Sequence, residues 1–155
     1  MNASIARFLC AVAMIAVILP TPADANAPGG RYVVTNGGNS SGTVYDTKTK
    51  LTWQQTISSI SYTWADAKTY CAGVGSSLGD TGWRLPTMKE LQSLVDYSDK
   101  AFPTMIDSTA FPGAPSNWFW SASPLAGFPG LAWYVNGGQT GDQDVSVASH
   151  VRCVR

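Results

Sequence analysis

Apolar and polar positions change period several times along this chain. Phe8 to Leu19 is an unbroken apolar run. Arg31 to Thr35 (RYVVT) predicts a first strand, and Asn36 to Gly42 is a turn-rich link. Val44-Tyr45-Asp46 and Leu51-Thr52-Trp53-Gln54 predict a hairpin joined by Thr47 to Lys50, with Trp53 pointing inward. At Thr63 the period lengthens: Trp64, Ala67, Cys71 and Val74 share one helical face. Thr63 and Asp66 stand in a capping-box-like relation, and Gly73 and Gly75 predict the stop. A second helix starts at Thr87, because Pro86 keeps Leu85 extended and Glu90 completes Thr-x-x-Glu. Met88, Leu91, Leu94 and Val95 form its apolar stripe, and Asp96 to Ser98 end it.

From Lys100 to Ser116 no period is sustained, which predicts a long ordered loop anchored by Phe102, Ile106 and Phe111. Trp118 to Ser121 reads as a short aromatic strand and Pro124 to Gly130 as a turn region. Leu131 to Asn136 reads as a strand, Gly137 to Gly141 as a turn, and Val145 to Val147 as a further short strand. His150 to Arg155 alternates and predicts a final strand. Strands, two helices, a loop region and then strands make an α+β chain, with two helices packed on a small, twisted, mainly antiparallel sheet.

Composition adds a compartment. Arg7, the apolar run, Pro20 and Pro22, and Ala23-Asp24-Ala25 fit an export signal over residues 1–25. The run is too short to span a bilayer, which takes about 20 residues, so no stable membrane span is expected after cleavage. Retention as an N-terminal anchor is the alternative. The chain is expected to be secreted, periplasmic or at the cell surface. Residues 26–41 make a polar lead with the first strand, and 42–155 the domain proper. Formal net charge is zero, and the signal removes Arg7 and Asp24, one of each sign. That balance argues against nucleic acid as a partner. With Cys10 gone, Cys71 and Cys153 are the only possible intramolecular pair, and in an oxidising compartment they read as a disulfide. Free redox thiols are the weaker alternative, since no Cys-x-x-Cys pattern is present.

These residues, in this order, resemble a known family. Val44-Tyr45-Asp46 through Leu51-Thr52-Trp53-Gln54, Thr63-Trp64-Ala65-Asp66-Ala67, Trp83-Arg84-Leu85-Pro86-Thr87 with Glu90-Leu91, Phe119 to Ser123, Ala132 to Asn136 and Val151 to Arg155 are similar to the bacterial Lcl C-terminal domain family. The plan also resembles the C-type lectin-like fold, in which a first-helix cysteine bridges to the last strand. The resemblance implies a secreted or surface-exposed, non-enzymatic binding module, some members being adhesins for sulfated glycans. The neutral charge points this chain away from glycosaminoglycans. Arg84-Leu85-Pro86-Thr87 is also similar to a stretch in formylglycine-generating enzymes and their sulfatase-modifying relatives, whose reactive cysteine pair binds copper. An enzyme of that type is the alternative function and needs a free Cys71 or Cys153. A structural subunit of a surface assembly is a third, with a homo-oligomer in view.

Candidate chemistry is sparse. His150 is the single histidine, no Gly-x-Ser-x-Gly elbow accompanies it, and no catalytic residue is expected. Zinc lacks ligands. Calcium has weak candidates in Asp142 and Asp144, read as part of a Gly-flanked loop, although six to eight oxygens are needed; no cofactor is expected. The aromatics are more informative. In alternating strands Trp118 and Trp120 share a face, whereas Trp133 and Tyr134 oppose each other. One of each set is expected in the core and the other in a platform for a sugar ring or a protein side chain. Asn117, Trp118, Trp133, Tyr134, Asn136, Gln139 and Gln143 are therefore the candidate site for an extracellular glycan or protein ligand. Trp83, Arg84, Pro86, Thr87 and Glu90 read as a structural joint, with Trp83 beneath the helices and Arg84 satisfying a carboxylate or strand carbonyls.

Overall fold

A computed structural model describes residues 28–35, 42–97 and 106–155. The expected export signal, nearly all of the turn-rich link and Phe102 lie outside these residues. Strands β1 (Tyr32–Thr35), β2 (Thr43–Asp46) and β3 (Thr52–Gln54) form one antiparallel sheet in that order. Val44 stands opposite Trp53, and both are fully buried. Asp46 is buried too, and it shapes the turn that follows. Its carboxylate accepts from the Lys48 amide at 2.9 Å and from Arg31 Nη2 at 2.9 Å. Burial opposes its charge, but Arg31 and the turn donors hold the carboxyl below its ordinary range.

Helix α1 (Trp64–Gly73) starts at Thr63, whose hydroxyl accepts from the Asp66 amide. Ala67 and Cys71 form its buried face. The expected stop at Gly73 and Gly75 is corrected. Val74 stays helical, a one-turn helix α2 (Gly75–Leu78) follows, and the chain turns away only at Gly79, with φ +71°. Gly75 serves close packing instead: a Cβ there would lie 2.5 Å from the Asp80 carbonyl oxygen. Helix α3 (Met88–Ser93) also ends earlier than expected, with Leu94 as its C-cap, so Val95 lies beyond it.

The second sheet contains β4 (Phe119–Pro124), β5 (Leu131–Asn136) and β6 (Gln139–Asp144), antiparallel in that order. The expected five-residue turn and the strand at Val145–Val147 are both corrected. Gly137 and Gly138, each with positive φ, close the hairpin in two residues, so pairing resumes at Gln139. The described residues therefore hold two three-stranded sheets where one sheet was expected. The terminal segment joins them. Gln54 donates its amide to the Cys153 carbonyl, and Thr52 and Arg155 exchange both bonds. On the other side Arg84 and Val154 exchange theirs, Tyr62 pairs with Ser149, and Trp120 donates to the His150 carbonyl. The expected last strand is thus an extended seam shared among several elements. Its residues Val151 to Val154 are all buried, where an alternating pattern was expected.

The core has two parts. Ala67, Cys71, Trp83, Leu85, Trp120, Val151 and Cys153 make one, and Val44, Trp53, Leu91, Leu94, Phe111, Val135 and Val154 the other. Cys71 and Cys153 are joined, with Cα atoms 5.3 Å apart and 82 positions between them in sequence. Trp83 packs beside that bond and donates Nε1–H to the Gly79 carbonyl at 2.9 Å. Arg84 grips both Glu90 carboxylate oxygens at 2.8 and 2.6 Å, and Glu90 Oε2 also accepts from the Thr87 amide at 2.7 Å. Pro86 is buried and passes its carbonyl to the Ala122 amide. The joint read from the sequence is therefore a capping box locked by an ion pair.

Replacing both Cys71 and Cys153 by serine is expected to lower unfolding free energy by about 2–5 kcal/mol, read by urea denaturation against the oxidised parent. Hydrogen bonds from Arg84 and then Thr87 hold the Glu90 carboxyl at about 2 against an ordinary 4.5. A depressed acid contributes stability above its unfolded value, and loses it as pH falls through its folded value. Glu90→Gln is thus expected to cost about 1 kcal/mol at neutral pH, with the deficit shrinking as pH falls from 4.5 toward 2. Thermal melts of the pair across that range check it.

Candidate functional site

The register of the second sheet sorts the aromatic residues. Trp120 stands opposite Tyr134 and Phe119 opposite Val135. Across β5 and β6, Ala132 faces Gln143, Trp133 faces Asp142, Tyr134 faces Gly141 and Asn136 faces Gln139. Partners across an antiparallel ladder share a face. Trp120, Tyr134, Asn136, Gln139, Gly141 and Gln143 therefore lie on one face, and Phe119, Trp133, Val135 and Asp142 on the other.

On the first face Trp120 is fully buried in the core. Tyr134 lies 5.8 Å from it, and half-buried Trp118 stacks on Tyr134 with ring centroids 4.1 Å apart and planes 20° from parallel. The three rings form a ladder from the core to the surface. Gly141 makes room for it: a Cβ there would fall 2.8 Å from Tyr134 Cε1 and 3.6 Å from the Trp118 ring. A strand glycine covered by a cross-strand aromatic is a recognised pairing. Three amides flank the ladder. Gln139 is exposed, Gln143 accepts from the Asp144 amide at 3.0 Å, and Asn136 Oδ1 is buried without a partner among the described residues.

Not every sequence candidate joins this group. Trp133 is half-buried on the opposite face, beside Asp142, because β5 alternates as expected. Asn117 also lies apart: its amide is 3.0 Å from His150 Nε2, and it lines a pocket on the Phe119 side. The other ring nitrogen of His150, Nδ1, is buried without a partner among the described residues. Asp142 and Asp144 sit on strand β6, which corrects their placement in a loop. Ser146 occupies the Asp144 carboxylate through its amide at 2.9 Å and its hydroxyl at 2.6 Å, holding that acid below its ordinary value. Among the described residues no three His, Cys, Asp or Glu side chains gather as a metal site, and no helix is long and apolar enough to cross a membrane.

A family model, that of the Lcl C-terminal domain, matches residues 42–155. The chain belongs to the Lcl C-terminal domain family. A comparison with curated proteins finds no match.

Within this Lcl C-terminal domain the sequence reading missed Arg152. It lies in the seam at 2 % exposure, and Nη1 donates to the Gln54 and Gln55 carbonyls at 2.7 Å each. The guanidinium stands 4.6 Å from the Phe111 ring centroid and 5.8 Å from that of Phe119. Burial pushes its pKa down to about 10, which leaves it protonated at neutral pH. An arginine set inside the apolar run Val151 to Val154 was the available signal. Leu91, Leu94, Ile106, Phe119, Val135 and Arg152 line a pocket of about 40 Å³.

Gly141→Ala is expected to push Tyr134 out of its stack with Trp118 and to cost about 1–3 kcal/mol, as overpacking does. A changed near-UV circular dichroism spectrum and a lower urea midpoint check it.

Proposed function

We propose that this domain is an exported, C-type lectin-like recognition module that binds a neutral glycan without catalysis. The observation that carries the proposal is the Trp118–Tyr134 stack seated over Gly141, with Asn136, Gln139 and Gln143 on the same sheet face. Sugar rings present C–H faces to aromatic planes and hydroxyls to amides, and this face offers both. The zero net charge supports a neutral ligand over a sulfated one. Export is supported by the apolar run Phe8 to Leu19 with its Ala-Asp-Ala site, and by a disulfide suited to an oxidising compartment. The helix-to-terminus position of that bond also supports the lectin-like comparison. Sulfatase-modifying chemistry is the less favoured reading, because both cysteines it would draw on are bonded to each other.

A glycan array probed with the oxidised domain is expected to give hits among uncharged glycans, and Trp118→Ala is expected to weaken them by about 1–3 kcal/mol, the scale of a lost aromatic stack. Array silence, together with protein partners in a pull-down that survive Trp118→Ala, overturns the proposal. Self-association that buries Trp118 favours the structural-subunit alternative.

A further inference from the structure

Arg152 is a buried cation with three of its five N–H donors unused among the described residues. Only Nη1 is engaged, by two backbone carbonyls. Among the described residues Nε and Nη2 make no hydrogen bond, and the ion pairs there belong to other arginines, Arg31, Arg84 and Arg155. Burying a guanidinium without an anion is costly, and two neutral carbonyls offset only part of that cost. The side chain is nevertheless held firmly, with Phe111 and Phe119 beside it and both acceptors in the backbone at the end of β3.

The pocket beside it is mainly apolar, with Asn117 also in its lining. Leu91 and Leu94 come from α3 and its cap, Phe119 and Val135 from facing strands, and Ile106 from the loop. This face of the sheet is opposite the Trp118–Tyr134 stack, so the pocket is separate from the proposed glycan face. Its free volume of about 40 Å³ admits only a small ligand. We propose that this pocket is a binding site for a small carboxylate carrying a short apolar body, of acetate or propionate size, with Arg152 as its anchor. The Nε–Nη2 edge of a guanidinium matches the two oxygens of a planar carboxylate, and the alkyl end would meet leucine, isoleucine and phenylalanine. A tetrahedral oxyanion would fit less well, because walls of leucine, isoleucine and phenylalanine leave its additional oxygens short of donors.

The test uses the oxidised protein with ¹⁵N-labelled arginine, titrated with sodium propionate and, separately, with propionamide, at constant ionic strength. Propionate is expected to shift the Arg152 Nε–H resonance saturably and to raise the melting temperature, while propionamide does neither. Arg152→Met serves only if it folds, so Ile106→Trp, which fills the pocket and leaves Arg152 in place, is the second variant. It is expected to bind propionate at least about tenfold more weakly, the scale of one lost charge-assisted contact, with an unchanged circular dichroism spectrum. An unmoved Nε–H signal, equal responses to propionate and propionamide, or undiminished binding in a folded Ile106→Trp overturns the proposal.

Discussion

The structure depends on how the backbone of residues 149–155 is satisfied. A buried peptide group must find a partner, and this segment finds partners on several elements at once. Thr52 and Gln54 hold it to the first sheet, Arg84 to the entrance of α3, and Trp118 and Trp120 to the second sheet. Its side chains alternate between the two halves of the core, Val151 and Cys153 toward one and Val154 toward the other. Gln54 reinforces the joint: its amide side chain accepts from the Cys153 amide and donates to the Tyr70 hydroxyl on α1. The disulfide adds a covalent link where hydrogen bonds and packing already converge.

The two faces of the β4–β5–β6 sheet follow from that arrangement. The seam runs beside β4 and fixes the strand's orientation, so Trp120 enters the core near the disulfide and Phe119 enters the other half. Tyr134 and Val135 obey the same alternation across the ladder. An aromatic ladder emerges on one side and an apolar pocket with a buried cation on the other. One hairpin thus presents two chemically different surfaces, and Gly141 on one and Arg152 on the other are the residues that make them so.

Much of this was legible in the sequence because it rests on local signals. The hairpin around Thr47 to Lys50, the Thr63 and Thr87 caps, the Thr87–Glu90 box and the burial of Trp53 need only neighbours and periodicity, and the Cys71–Cys153 bond follows from counting once export is assumed. The departures have non-local causes. Gly75 looked like a helix stop but is small because Asp80 packs against it. The β5–β6 turn looked long because three glycines lie between residues 137 and 141, yet Gly137 and Gly138 alone make it, and Gly141 answers to a ring on the next strand. Trp133 and Asn117 looked like companions of Trp118, but sheet register sends Trp133 to the other face and Asn117 turns to His150. Arg152 carried the weakest signal, since its partners are carbonyls 97 and 98 positions away.

The side-chain bond between Gln54 and Cys153 closes 99 positions of chain. Contacts that distant form only after a large loss of loop freedom, and chains rich in them fold in the slower, millisecond-to-second range. Neither sheet can complete its inner edge before this closure, so the two are expected to appear together in one late cooperative step. A fragment ending before Ser149 would leave unpaired strand edges on both halves, and its fate would be aggregation rather than a smaller stable domain.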